Sequence, residues 1–127
     1  MTTNIKSERS WALVRLFSCG LFDICIAKYP TIGEPHEVRL AWDKVLDREE
    51  TKGDIVGFYH THPNSSGNFY SEKDRVTMTD WCSCFGKLLY CVIKSKTATK
   101  TFHFNKEGHQ ETTAAFKIGS LVFVESR

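Results

Sequence analysis

Two segments rich in β-branched and aromatic residues stand on either side of a short turn at Cys19–Gly20. They read RSWALVRLFS and LFDICIAKYP. Residues of these types favour the pleated, half-buried surface of a strand. The pattern predicts a β-hairpin near the amino terminus, so the rest of the chain must build on a sheet.

Strand-like and helix-like segments then alternate. A loop and a short strand are predicted in TIGEPHEVRL, a helix in AWDKVLDREETKG, and a strand in DIVGFYHTH that ends at Pro63. A second helix is predicted from Ser71 to about Cys84, followed by strands in KLLYCVIKS and KTFHFNKEG and a last strand around Leu121 to Val124. This order predicts a single domain over residues 1–127, of the α/β (α+β) class, with a mixed β-sheet flanked by helices.

The composition limits which partners the protein is expected to bind and where in the cell it is expected to lie. The 127 residues carry a net charge of +2 without a stripe of Lys and Arg, which argues against nucleic acid and anionic membranes as partners. Most of the five cysteines lie in apolar runs, as buried thiols do in a reducing cytosol, although Cys82 and Cys84 could also form half of a metal site. The start, MTTNIKSERS, is polar and has no apolar run, so no signal peptide is expected, and the apolar run LLYCVI is too short to span a bilayer. We therefore expect a cytoplasmic protein.

The segment HTHPNSSGNFYSEKD carries the most specific chemistry. In a strand, His60 and His62 point to the same face, and Ser71 and Asp74 lie one helical turn apart. Two imidazoles and one carboxylate are a zinc-binding set that leaves a fourth position open for water. Two simpler readings stay open, namely surface histidines and a helix-capping box formed by Ser71 and Asp74. The remaining histidines are expected to have ordinary surface or pairing roles: His36, His103 and His109.

HTHP and SEKD resemble the signature of the JAMM (MPN+, JAB1-type) zinc metalloprotease family, and the order of elements agrees across nearly the whole chain. Two departures matter. Eleven residues, 63–73, separate His62 from Asp74, one more than is usual in the family, and a loop absorbs one residue easily. The helix with which family members begin is expected to be absent or shortened, because only seven residues precede Glu8. Two alternatives follow: part of the usual covering of the sheet is missing, or a partner chain supplies it at the shortened N-terminus.

The resemblance implies a role for each site residue. His60, His62 and Asp74 would hold one Zn²⁺ per chain. Glu8 would act as general base and then general acid, and Ser71 would donate a hydrogen bond to the oxyanion.

Three glutamates are candidates for the general base. The family calls for a glutamate at the start of the first hairpin strand, where Glu8 stands. Glu34 and Glu37 are rivals that follow the hairpin. Without the resemblance, Glu8 would be read as a solvated residue at a strand entry.

The resemblance also implies a substrate class. The family most often cleaves the amide that follows the C-terminal tail of a ubiquitin-like protein, and the tail can add as a strand beside the cleft. The chain resembles minimal bacterial members, some of which belong to ubiquitin-like conjugation systems in antiviral defence operons. We expect deconjugation or precursor processing of a ubiquitin-like protein. Three alternatives remain, namely a JAMM protease acting on a sulfur-carrier or phage tail protein, a non-catalytic scaffold, and a zinc-free binding module.

Overall fold

The computed structural model describes residues 9–32, 35–63 and 69–126, and the side chains of 32–41 lie outside this description. Two helices occur in this part of the chain, α1 (Pro35–Lys52) and α2 (Glu72–Phe85). The strands are β1 (Arg9–Cys19), β2 (Phe22–Ile32), β3 (Ile55–His62), β4 (Leu89–Ser95), β5 (Thr99–Asn105), β6 (Gly108–Ile118) and β7 (Leu121–Glu125). None of the helices among these residues is long and apolar enough to cross a membrane.

The strands close into a barrel in the order β1-β2-β7-β6-β5-β4-β3. Only β3 and β4 pair in parallel, because α2 connects them as a crossover. The other neighbours are antiparallel, and β1 completes the ring by pairing with both β2 and β3. Each described strand therefore has a partner on both sides.

The predicted fold, a mixed β-sheet flanked by helices, is wrong, because the strands close into a barrel. Closure depends on β6 and β7, in a tail whose sequence is ambiguous, and on the pairing of β7 with β2. This pairing joins the last strand to the first hairpin, and no short stretch of the sequence predicts it. The predicted hairpin, the second helix and the last strand at Leu121 are confirmed.

A second correction concerns the segment after the hairpin. A short strand was predicted in TIGEPHEVRL, but α1 already begins at Pro35. Proline suits the first position of a helix, because its fixed φ is helical and its missing N–H would be unpaired there anyway. The helix then ends at Lys52, before Gly53 at φ 66°.

Two apolar clusters lie on opposite sides of the barrel wall. One fills the barrel interior without helix residues and includes Leu13, Tyr59 and Val92. The other lies between the wall and the helices, where Phe58 packs with Val45 of α1 and Trp81 of α2. The neighbouring residues Phe58 and Tyr59 of β3 thus belong to different clusters, because they point to opposite faces of the strand. The face that carries Phe58 also carries the two histidines, so this face of β3 turns toward the helices.

Candidate functional site

The two histidines lie at the carboxyl end of β3, an inner strand of the barrel wall. His60 pairs with Ser10 of β1 and with Ile93 of β4. His62 is two residues further along and is 8% exposed. Pairing on both sides holds the backbone of this end firmly, so both imidazoles project from a rigid strand toward α2.

The amino terminus of α2 forms the capping box that the sequence allowed. The Asp74 backbone N–H donates to the Ser71 hydroxyl at 3.1 Å, and the Ser71 N–H donates to Asp74 Oδ2 at 3.0 Å. Ser71 is the N-cap residue, with extended backbone angles. This pair of bonds satisfies two otherwise unpaired backbone donors, and it also fixes the orientation of the Asp74 carboxylate.

The strand end and the helix start meet at Asp74. Its Oδ2 atom lies 3.3 Å from His62 Nε2, and both side chains are largely buried, at 13% and 10% exposed. Two donors bound to one tetrahedral zinc, each roughly 2.1 Å from the metal, lie about 3.4 Å apart. The spacing of this pair therefore fits shared coordination of a zinc ion as well as a direct hydrogen bond.

His60 borders the same space, because it lines a cavity together with Ser71 and Asp74. Within the part of the chain that the structure describes, no three His, Cys, Asp or Glu side chains form a group that could hold a metal. The structure thus brings His62, Asp74 and Ser71 into contact and leaves His60 beside them. A metal at this site would require the His60 imidazole to join the pair.

The predicted base, Glu8, lies outside the described residues, as do Glu34 and the side chain of Glu37. Its neighbour Arg9 is described, and the Arg9 N–H donates to the Thr61 hydroxyl at 3.0 Å. Strand β1 therefore begins directly beside the histidines of β3.

Among the described residues, the cysteines belong to no group of side chains that could hold a metal. Cys82 is buried, and burial raises the pKa of its thiol to about 11, while Cys84 is exposed on another side of α2. Cys91 lies fully buried in β4, where burial first and then the Asp74 charge raise the pKa of its thiol. The raised pKa values keep the Cys82 and Cys91 thiols protonated near neutral pH. The C-x-C alternative is not supported.

Sequence reasoning missed a cavity of about 360 Å³ that opens beside the site. We call it the tryptophan pocket, because Trp42 of α1 and Trp81 of α2 stack in its wall with ring centroids 3.5 Å apart. Its other described lining residues are Arg9, Ser10, Trp11, Ala12, Tyr29, Thr31, Val45, Phe58, His60, Ser71, Lys73, Asp74, Thr77 and Met78. The two tryptophans are distant in sequence, and only their apolar helical spacing hinted at a shared role.

A second missed feature supports the start of α2. The Tyr70 hydroxyl lies 3.2 Å from His109 Nδ1, and the His109 Nε2 atom lies 2.9 Å from the Thr112 hydroxyl. Phe102 and Phe104 of β5 pack against both rings. His109 therefore has the pairing role expected of it, and it anchors the residue that precedes Ser71. The alternation of Phe102 and Phe104 was the signal that could have located this cluster.

Comparison with known families agrees with the motif. The family model of prokaryotic homologues of the JAB domain matches residues 2–106. The chain therefore belongs to the JAB-domain family of prokaryotes, and the resemblance carried by HTHP and SEKD is confirmed. Membership is compatible with a JAMM-type peptidase. No curated protein and no solved structure matches the chain closely enough to point to a nearer relative.

Proposed function

We propose that this protein is a zinc-dependent peptidase of the JAMM type. The observation that carries the proposal is the contact between His62 Nε2 and Asp74 Oδ2 at 3.3 Å, with Ser71 locked to the same carboxylate. One oxygen and one nitrogen donor at this separation, with a second imidazole bordering the same space, suit Zn²⁺ better than Mg²⁺ or Ca²⁺, which prefer oxygen ligands. His60, His62 and Asp74 would hold the ion.

When bound, zinc lowers the pKa of water and polarises a carbonyl group, which is the chemistry of a hydrolase. The protein groups would do the rest. Glu8 accepts a proton from the attacking water and passes it to the leaving amine. Ser71 uses an oxygen lone pair for the Asp74 N–H, so its own O–H proton stays available for the oxyanion of the tetrahedral intermediate. Capping and catalysis are therefore compatible at Ser71.

We propose that the bond cleaved follows the C-terminal tail of a ubiquitin-like protein, in deconjugation or precursor processing. The setting we propose is the bacterial cytoplasm, in a conjugation system of the antiviral defence type. Support comes from membership of a prokaryotic JAB family. Because each described strand is paired on both sides, we place the tail along the mouth of the tryptophan pocket rather than on a free strand edge. A partner chain near Arg9 would complete this end.

The metal is tested with Asp74→Asn, beside Asp80→Asn as the matched control on an exposed position of the same helix. Asparagine can still accept the hydrogen bond from the Ser71 N–H, so the capping box and the melting temperature are expected to survive while zinc is lost. Metal analysis should find about one zinc per chain in the parent and in Asp80→Asn. No zinc in the parent, even after incubation with excess metal, would favour the non-catalytic scaffold.

Activity is tested separately on zinc-loaded protein with a panel of ubiquitin-like fusions and lysine conjugates. Glu8→Gln is the inactive control, because the amide cannot take up the proton. Cleavage by the parent and by Asp80→Asn, but not by Glu8→Gln, is expected. A panel that stays intact with fully loaded enzyme would refute the substrate class and would leave the metal site standing.

A further inference from the structure

The tryptophan pocket continues directly from the candidate catalytic residues. His60, Ser71 and Asp74 form its polar end. From there it extends between the barrel wall and the two helices, over Thr77 and Met78 of α2. A volume of about 360 Å³ is within the range of small-ligand sites, so the pocket has room for a large side chain.

The far end of the pocket is a wall of aromatic rings. Trp42 and Trp81 stack nearly parallel, at an angle of 10°, and Phe58 packs against Trp81 with centroids 4.9 Å apart. Met78 and Val45 complete an apolar lining that is almost fully buried. Burial of another apolar group against such a surface excludes water and lowers the free energy.

A local backbone irregularity directs one more aromatic residue toward this space. Strands β1 and β2 pair Ser10 with Thr31 and Ala12 with Lys28, so two residues of β2 stand opposite one of β1. Tyr29 is one of the two and has φ 58°, a left-handed conformation that costs energy for a bulky residue. Its side chain lines the pocket. Bulges of this kind re-aim side chains beside functional sites.

The mouth of the pocket is basic. Arg9 and Lys73 are exposed and both line it, whereas Asp74 is the one acidic residue among the described lining residues. If Asp74 is engaged with a metal, the charge that remains among the described lining residues is positive. A peptide segment with a carboxylate close to its apolar side chain would complement this arrangement.

We propose that the tryptophan pocket is a specificity site that binds a large apolar side chain, aromatic or branched aliphatic, which flanks the scissile bond and has an acidic neighbour. This assignment rests on the proposed peptidase function, because only a peptidase has a scissile bond. The binding itself needs no catalysis. The substrate class is thereby narrowed to ubiquitin-like tails or acceptor segments that carry such a residue beside the cleaved amide.

Binding is measured by intrinsic tryptophan fluorescence of the purified protein, because all three of its tryptophans line the pocket. The probes are acetyl-Gly-Glu-X-Gly-amide peptides in which X is Phe, Leu or Gly, and a Lys-for-Glu version of the Phe peptide. Thr77→Phe fills the pocket from α2, and Val76→Phe adds the same ring at the neighbouring position, which is 44% exposed and lies outside the pocket. Melting curves of both variants are recorded to check that they fold.

The Phe and Leu peptides are expected to bind at least about tenfold more tightly than the Gly peptide, as burial of one large apolar side chain predicts. The Lys version should bind more weakly than the Glu version. Thr77→Phe should abolish the preference and Val76→Phe should keep it. Equal affinity for Phe and Gly peptides, no binding by any peptide, or an unchanged preference in folded Thr77→Phe would overturn the proposal. Mass spectrometry of the same samples records cleavage, so failure of the peptidase function is distinguished from failure of the pocket.

Discussion

Replacing Tyr90 with phenylalanine removes one hydroxyl that ties opposite parts of the barrel together. The Tyr90 hydroxyl, on β4, donates to the Asp23 carboxylate on β2, and these two strands are not neighbours in the ring. Ser18 donates a second hydrogen bond to Asp23, and Arg15 lies 3.5 Å from it. Asp23 is 5% exposed, so water cannot replace a lost partner.

The magnitude follows from the kind of bond that is lost. A hydrogen bond to a charged group contributes about 1.5–3 kcal/mol, and a buried carboxylate left without one of its donors keeps its desolvation cost. We expect the free energy of unfolding at pH 7 to fall by roughly 2 kcal/mol. For a domain of this length the melting temperature should fall by about 4 °C for each kcal/mol.

The loss should depend on pH with a definite sign. Burial acts to raise the pKa of Asp23, but the hydrogen bonds from Ser18 and Tyr90 and the Arg15 charge outweigh it, so the pKa lies below its usual value. A carboxyl group whose pKa is lowered by folding stabilises the protein above its unfolded-state pKa, about 3.9, and loses that contribution as the pH falls through its folded-state pKa. The difference between parent and Tyr90→Phe should therefore be full at pH 7 and shrink below about pH 4.

The assay is urea unfolding at pH 7 and pH 3, with Tyr59→Phe as the matched control. Tyr59 is also buried inside the barrel, but its hydroxyl has no hydrogen-bond partner among the described residues. Removing an unpaired buried hydroxyl should leave stability unchanged or raise it. Equal losses in the two variants, or a Tyr90→Phe loss that is as large at pH 3 as at pH 7, would refute the reasoning.

Two further predictions concern the entry to β3. Asp54→Ala removes a bidentate ion pair with Arg48, whose nitrogens lie 2.8 and 2.7 Å from the carboxylate. Because the pair is partly solvated, the free energy of unfolding at pH 7 should fall by only roughly 1 kcal/mol. Urea titration measures this loss, and stability equal to that of the parent would contradict the prediction. Gly57→Ala would place a Cβ atom 2.3 Å from the carbonyl oxygen of Tyr90, so β3 and β4 must separate and the variant should lose about 2 kcal/mol or more; a melting temperature equal to that of the parent would show that the strands give way more easily than their pairing indicates.

Local elements were largely predictable, because each has a local cause. The hairpin follows from two β-rich runs around a turn, and α2 follows from its capping residues and apolar spacing. The start of α1 was missed because Pro35 was read as loop punctuation rather than as a first helical residue. The strand β6 was ambiguous because most of its side chains are exposed and many are polar, and β7 because it is only five residues long.

Part of the site was predictable for the same reason. Ser71 and Asp74 are close in sequence and share one helical turn, so their contact could be expected. The contact of Asp74 with His62 crosses from a helix to a strand and needed the tertiary structure. The role of Glu8 stays a prediction.

The sequence by itself determined the family, through HTHP and SEKD, and the types of side chain available to the site. Each motif consists of residues that are adjacent in the sequence, so it can be recognised without knowledge of distant contacts. Only the tertiary structure decided that the sheet closes into a barrel and that Trp42 and Trp81 meet beside the histidines. Both outcomes depend on contacts between residues far apart in the chain, which form because burial of apolar surface outweighs the entropy of closing long loops.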